Sequence, residues 1–300
     1  MSRAPDATAQ GLVVAALRRR FLVALDAGGT LECVLKGRTT VLACGDRVDV
    51  ERAAGAGVIT AVAPRQSLFY RSDAFREKLI AANVTQVLGV VAPDVPVDEH
   101  LLNRWIVAAE IERCRFVLVV NKSDLAGAAA FADRFAPYAS LGYAVVPVSA
   151  HRDVTPLAHW VRGQHSVVIG QSGMGKSTLI NALAPAARAR VGEISDALRS
   201  GRHTTSSAML YRLPGDDGWL VDSPGMKVFG LAHCQPAAIA DAFVELRDVI
   251  GQCRFRDCRH EREPDCAVRS AVAAGRVAPQ RVALLQALLR EVNKDRAPRS

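Results

Sequence analysis

Ser166-Val167-Val168-Ile169-Gly170-Gln171-Ser172-Gly173-Met174-Gly175-Lys176-Ser177-Thr178-Leu179-Ile180-Asn181-Ala182-Leu183 reads as a β-branched strand, a glycine-rich loop and a helix, the local context that a phosphate-binding loop requires. The glycines let backbone N–H groups curl around phosphate oxygens at a helix N-terminus, where negative charge is favoured. In such a loop Lys176 neutralises the β- and γ-phosphates, and the Ser177 hydroxyl ligates Mg²⁺.

Working upstream, Asn121-Lys122-Ser123-Asp124 follows the apolar run Arg115-Phe116-Val117-Leu118-Val119-Val120, so it falls at the carboxyl end of a buried strand, where open α/β sheets bind ligands. Guanine presents N1–H and N2–H₂ donors that one carboxylate accepts together, and Asp124 is that acceptor. Adenine offers no such pair. Asn121 orients the loop, the Lys122 stem lies against the base, and Ser149-Ala150, ending another strand, offers a backbone N–H to the guanine O6. The base reader thus precedes the phosphate loop, the reverse of the ordinary order. The chain reads as a circularly permuted, doubly wound α/β nucleotide-binding domain of the P-loop kind.

Downstream of the loop, Asp222-Ser223-Pro224-Gly225 follows the strand Trp219-Leu220-Val221; Asp222 holds Mg²⁺ through water and the Gly225 N–H reaches the γ-phosphate. Between them, Gly201-Arg202-His203-Thr204-Thr205 supplies a threonine, Thr204 or Thr205, to complete the Mg²⁺ shell. Many nucleotide hydrolases place a water-orienting glutamine after the glycine, but this chain has Met226. His203 is the candidate substitute, since an imidazole orients or deprotonates water near neutral pH. A missing glutamine predicts slow intrinsic hydrolysis that a partner must complete.

The flanks have other characters. Five short β-like runs between Gly11 and Val62, separated by glycine turns, predict a small barrel of the OB type over residues 1–66. The nucleotide domain is expected over 67–232. Beyond it, 233–300 is helical and basic, with Pro279 opening a last helix in which Val282, Leu285, Leu289 and Val292 share one face. Cys253, Cys258, His260 and Cys266 are spaced as a closed tetrahedral Zn²⁺ set, structural in kind because no position is left for chemistry. Arg254, Arg256, Arg259 and Arg262 interleave with these ligands as cations for a phosphate backbone. Cys33, Cys44, Cys114 and Cys234 read as buried apolar residues.

Half of the 300 residues are hydrophobic, enough for a sizeable core, which excludes a disordered chain. The formal charge of +8 favours an anionic partner such as RNA. No apolar run approaches a membrane span and the N-terminus lacks a secretory pattern, so a cytoplasmic protein with no membrane association is expected.

Taken together, Asn121 to Asp124, Gly170 to Thr178, Gly201 to Thr205, Asp222 to Gly225, and Cys253, Cys258, His260 and Cys266 with Glu263-Pro264 between the last two ligands resemble one family, the ribosome small-subunit-dependent GTPase A. The resemblance implies an N-terminal OB-fold, a C-terminal zinc domain and a monomer. It further implies a factor that binds the small (30S) ribosomal subunit and its rRNA late in maturation, hydrolyses GTP to GDP when the subunit stimulates it, and then leaves. Ser206 stands where the family commonly runs a third threonine, and the barrel matches loosely.

Overall fold

The computed structural model describes residues 8–17, 20–37, 41–53, 56–72, 77–185, 208–223, 229–256 and 258–296. Five N-terminal strands, β1 (Thr8–Leu17), β2 (Arg20–Leu25), β3 (Thr30–Leu35), β4 (Arg47–Ala53) and β5 (Ala56–Val62), run in the order β1-β2-β3-β5-β4 and close through a β1–β4 pairing. Closure removes the open edges that such short strands would otherwise expose. Alternation along the strands sends Val13, Phe21, Val23, Cys33, Val48, Val50 and Ile59 into one core. Gly57 is required there: a Cβ would sit 2.4 Å from the Cys33 Sγ. The sequence-read barrel and its OB-like strand order are therefore present.

A connection not visible in the sequence holds the barrel's exit. Asp46, fully buried, accepts from Arg65 Nε at 2.7 Å and Nη2 at 2.8 Å and from the Ala43 N–H at 2.8 Å, while Arg65 also donates to the Val41 carbonyl at 2.6 Å. Removing one partner leaves the other charge buried and unpaired. Arg65→Met is accordingly expected to destabilise the protein by about 3–5 kcal/mol, read as a lower midpoint in urea unfolding.

After the barrel comes a hairpin that the strand–helix alternation did not predict, β6 (Leu68–Ser72) with β7 (Glu77–Ala82). Phe69 is buried against Phe229 with ring centroids 5.6 Å apart, and the Tyr70 and His233 rings lie 3.9 Å apart, tilted by 34°. The nucleotide domain follows: β8 (Gln86–Val91), α1 (Glu99–Ile111), β9 (Arg115–Val120), α2 (Ala128–Asp133), α3 (Ala136–Ser140), β10 (Ala144–Pro147), α4 (Thr155–Val161), β11 (Gln164–Gly170), α5 (Lys176–Leu183), β12 (Met209–Arg212) and β13 (Gly218–Asp222). The strands lie in the order β10-β9-β8-β11-β13-β12, parallel apart from β12. β12 also pairs with β1 at Met209 and Ala15, so barrel and nucleotide domain share one eleven-stranded sheet. Strands β8 and β9 are apolar almost throughout because neighbouring elements cover both faces. Leu101, Leu102, Trp105, Ile106 and Ala109 of α1 are buried, as their helical spacing predicts.

The chain ends in α6 (Pro236–Asp241), α7 (Ala267–Ala273) and α8 (Pro279–Arg296). Pro279 does open α8, and Val282, Leu285 and Val292 are buried with Leu289 packed against the core. Arg281 of α8 reaches across to α1: it bonds Glu245 and Asn103, and its guanidinium lies 4.7 Å from the centroid of Phe243. Cys33, Cys44, Cys114 and Cys234 are buried. No helix among the described residues is long and apolar enough to cross a membrane.

Candidate nucleotide site and metal cluster

Strand pairing fixes where the motifs fall. β11 is flanked by β8 and β13 with all three parallel, so the loop after β11, Asp222 at the end of β13 and Asn121 just after β9 emerge on one side of the sheet. The separated tetrad and phosphate loop then meet through side chains. Asn121, buried, donates from Nδ2 to the Met174 carbonyl at 2.9 Å and accepts from the Ala150 N–H at 3.0 Å, which ties the phosphate loop and the Ser149-Ala150 corner to one amide. Gly175 permits this approach. Its φ is +85°, and a Cβ there would lie 2.4 Å from Asn121 Nδ2.

Lys122, at φ +60°, donates from Nζ to the Gly173 carbonyl at 2.7 Å. Ser123 donates its backbone N–H to the Val148 carbonyl at 3.0 Å. Ser149 Oγ donates to Asp124 Oδ1 at 2.6 Å and Arg152 Nε lies 3.7 Å from Asp124 Oδ2. The Ser149 hydroxyl first, then the backbone and Arg152, hold the Asp124 carboxyl below the usual carboxylate range. It is a pure acceptor at neutral pH.

In the phosphate loop, Lys176 Nζ donates to the Gln171 carbonyl at 3.0 Å, Met174 is buried, and Ser172 and Ser177 face solvent. Gly170 and Gly173 supply the loop's other positive φ values, and Thr178 lies in the first turn of α5. Burial lowers the Lys176 pKa, opposed by Asp222; burial raises that of Asp222, opposed by Lys176. Asp222 Oδ1 is buried and has no hydrogen-bond partner among the described residues. An orphaned carboxylate oxygen beside an ammonium and a serine-bearing helix start fits a hydrated Mg²⁺ with its triphosphate. His203, Thr204, Thr205 and Gly225 lie outside the described residues.

The sequence profile of the RsgA GTPase family matches residues 62–232. The chain belongs to the RsgA GTPase family. Small ribosomal subunit biogenesis GTPase RsgA of Nitrosospira multiformis is 46% identical to it over 293 residues, covering 97% of this chain and 93% of that one. The protein of the same name from Nitrosomonas europaea is 44% identical, covering 95% and 92%. Among solved structures, YjeQ from Thermotoga maritima superposes with a TM-score of 0.75 at 28% identity, covering 96% of this chain and 99% of that chain. YloQ, described as a circularly permuted GTPase, shares the fold at a TM-score of 0.71 and 22% identity, covering all of both chains. As an RsgA-family member the chain is a GTP hydrolase with a permuted nucleotide domain.

The C-terminal part of this RsgA-family chain brings Cys253, Cys258, His260 and Cys266 together, their ligand atoms all within 4.8 Å of one another. Three sulfurs and one imidazole nitrogen at that spacing suit tetrahedral Zn²⁺. The fold supports the cluster locally. Glu263 accepts from the backbone N–H groups of Arg259, Glu261 and Arg262, Gln286 of α8 donates to the His260 carbonyl at 2.9 Å, and Cys266 caps α7. Of the interleaved arginines, Arg254 is ion-paired to Asp265 at 3.0 Å, whereas Arg256, Arg259 and Arg262 are exposed.

Proposed function

We propose that this GTPase binds the small ribosomal subunit and its rRNA late in maturation, hydrolyses GTP to GDP and phosphate when the subunit stimulates it, and leaves once hydrolysis is complete. The observation that carries the reading is the Asn121 bridge between base reader and phosphate loop, in a chain so similar to proteins named for small-subunit biogenesis. Asp124 reads guanine, the Lys122 stem covers the base and the Ser149-Ala150 corner offers a backbone N–H to O6. Lys176 and the N–H groups of 170–178 hold the phosphates, while Ser177, Thr204 or Thr205, and Asp222 through water complete the Mg²⁺ shell. Gly225 N–H senses the γ-phosphate, and His203 orients the attacking water in place of a glutamine.

Residues 1–66, 67–232 and 233–300 act as barrel, nucleotide and zinc units, the last holding one structural Zn²⁺ on Cys253, Cys258, His260 and Cys266. The protein works as a cytoplasmic monomer, and Arg256, Arg259 and Arg262 supply cations for the rRNA backbone.

One assay tests this: phosphate release from GTP and from ATP, with and without purified small subunits. The expected result is slow GTP turnover that rises steeply with subunits and is largely lost in His203→Ala at unchanged GTP affinity. Equal use of ATP would instead indicate a metabolic P-loop enzyme such as a kinase, and GTP binding without stimulation a zinc-containing RNA-binding module with a passive nucleotide domain.

A further inference from the structure

The motifs place the guanine site on the tetrad, the Ser149-Ala150 corner and the phosphate loop, yet a further segment walls it: residues 92–98, joining β8 to α1. Three of its members lie against the site. Asp94 Oδ2 accepts from Lys122 Nζ at 2.6 Å, the Asp98 N–H donates to Gln171 Oε1 at 3.4 Å, and the Val95 Cγ2 is 3.4 Å from where a Cβ on Gly173 would be. Lys122 Nζ is thus held from two sides, by Asp94 and by the Gly173 carbonyl at 2.7 Å.

We propose that Asp94 is a positioning residue for guanine-nucleotide binding, holding the Lys122 ammonium on the phosphate loop so that the lysine stem is already extended where the base docks. A lysine side chain is long and rotamer-rich, and ordering it opposes binding unless the order exists beforehand. The backbone of Lys122, at φ +60°, aims the stem, and the two acceptors fix its end. Asp94 has a 45% exposed side chain, so the pair adds little to fold stability; its effect falls on the ligand. Because Lys122 serves the nucleoside end, GTP and GDP gain equally.

The inference rests on the tetrad being the base reader. Fluorescent GDP and a non-hydrolysable GTP analogue are titrated into wild type, the near-isosteric Asp94→Asn, Asp94→Glu and Lys122→Ala, with unfolding midpoints taken in parallel. Asp94→Asn is expected to weaken both nucleotides about fivefold, to raise KM while kcat at saturation holds, and to add nothing in the Lys122→Ala background. Asp94→Glu restores part of the affinity. Wild-type affinity in Asp94→Asn, a loss for the GTP analogue alone, or the full loss persisting in Lys122→Ala would each overturn the proposal. If wild type binds ATP as well as GTP, the base-reader assignment fails first, independently of Asp94.

Discussion

Replacing Asp124 with asparagine is expected to weaken GTP binding by about two orders of magnitude and to shift preference toward xanthosine triphosphate. In its proposed role the carboxylate accepts from two guanine donors at once. An amide keeps one acceptor, which still serves N1–H and the Ser149 hydroxyl that now bonds Oδ1 at 2.6 Å, but it sets its own N–H₂ against the guanine N2–H₂. Two donors facing each other lose a charge-assisted bond and leave a group unsatisfied. Xanthine carries a carbonyl at that position, so the amide regains its partner. A related pH effect has a definite sign. The Asp124 pKa is lowered, so guanine affinity holds through neutral pH and is lost only below the ordinary carboxylate range, as the carboxyl takes up a proton. Titration calorimetry with GTP, xanthosine triphosphate and ATP reads the switch; unchanged GTP affinity in the variant would remove Asp124 from its role.

The second large effect concerns the metal cluster. Stripping Zn²⁺ with a strong chelator, or changing Cys258 to serine, is expected to unfold the segment from Cys253 through α7. Structural Zn²⁺ binding in small peptides is worth about 10–16 kcal/mol at neutral pH, comparable with the whole stability of an ordinary domain. Little else holds this segment. Its apolar contribution to the core is small, mainly Cys266, Val268 and Ala271, and the loop relies on Glu263, Gln286 and the ligands themselves. His260 at φ +62° and Asp265 at φ +54° add backbone strain that the cluster must offset. Zinc release measured by a colorimetric chelator should coincide with new protease cleavage between Gln252 and Ala274. Metal loss with an unchanged digestion pattern would show that the ion does not hold the segment.

How much of this was legible in the sequence follows from the range of each interaction. The five barrel runs, the helical stripe of α1 and the strand–loop–helix around Lys176 carry a local period or a fixed spacing, and each appears where its pattern puts it. Hairpin β6–β7 lacks such a signature. Phe69 and Tyr70 are half of two ring pairs whose other members, Phe229 and His233, lie far along the chain, so nothing near Leu68 marks a strand. β12 is similar, a four-residue strand set by β13 on one side and β1 on the other. Within the site, the tetrad and loop announced themselves, whereas Asp94 has no motif and is found only through its distance to Lys122. Asp46 and Arg65 likewise carry no motif, and only the fold buries Asp46 and half-buries Arg65 against it. Asn103, in the apolar stripe of α1, becomes explicable once Arg281 arrives from α8 to bond it.

The hairpin's ring pairs bear on the segment that follows Asp222. Ser223 is buried at one end of that stretch and Phe229 at the other, the latter lodged against Phe69, with His233 against the Tyr70 ring just beyond. A pull on Phe229 or His233 is passed directly to Phe69 and Tyr70, and through them to the very ribbon by which the chain leaves its N-terminal barrel.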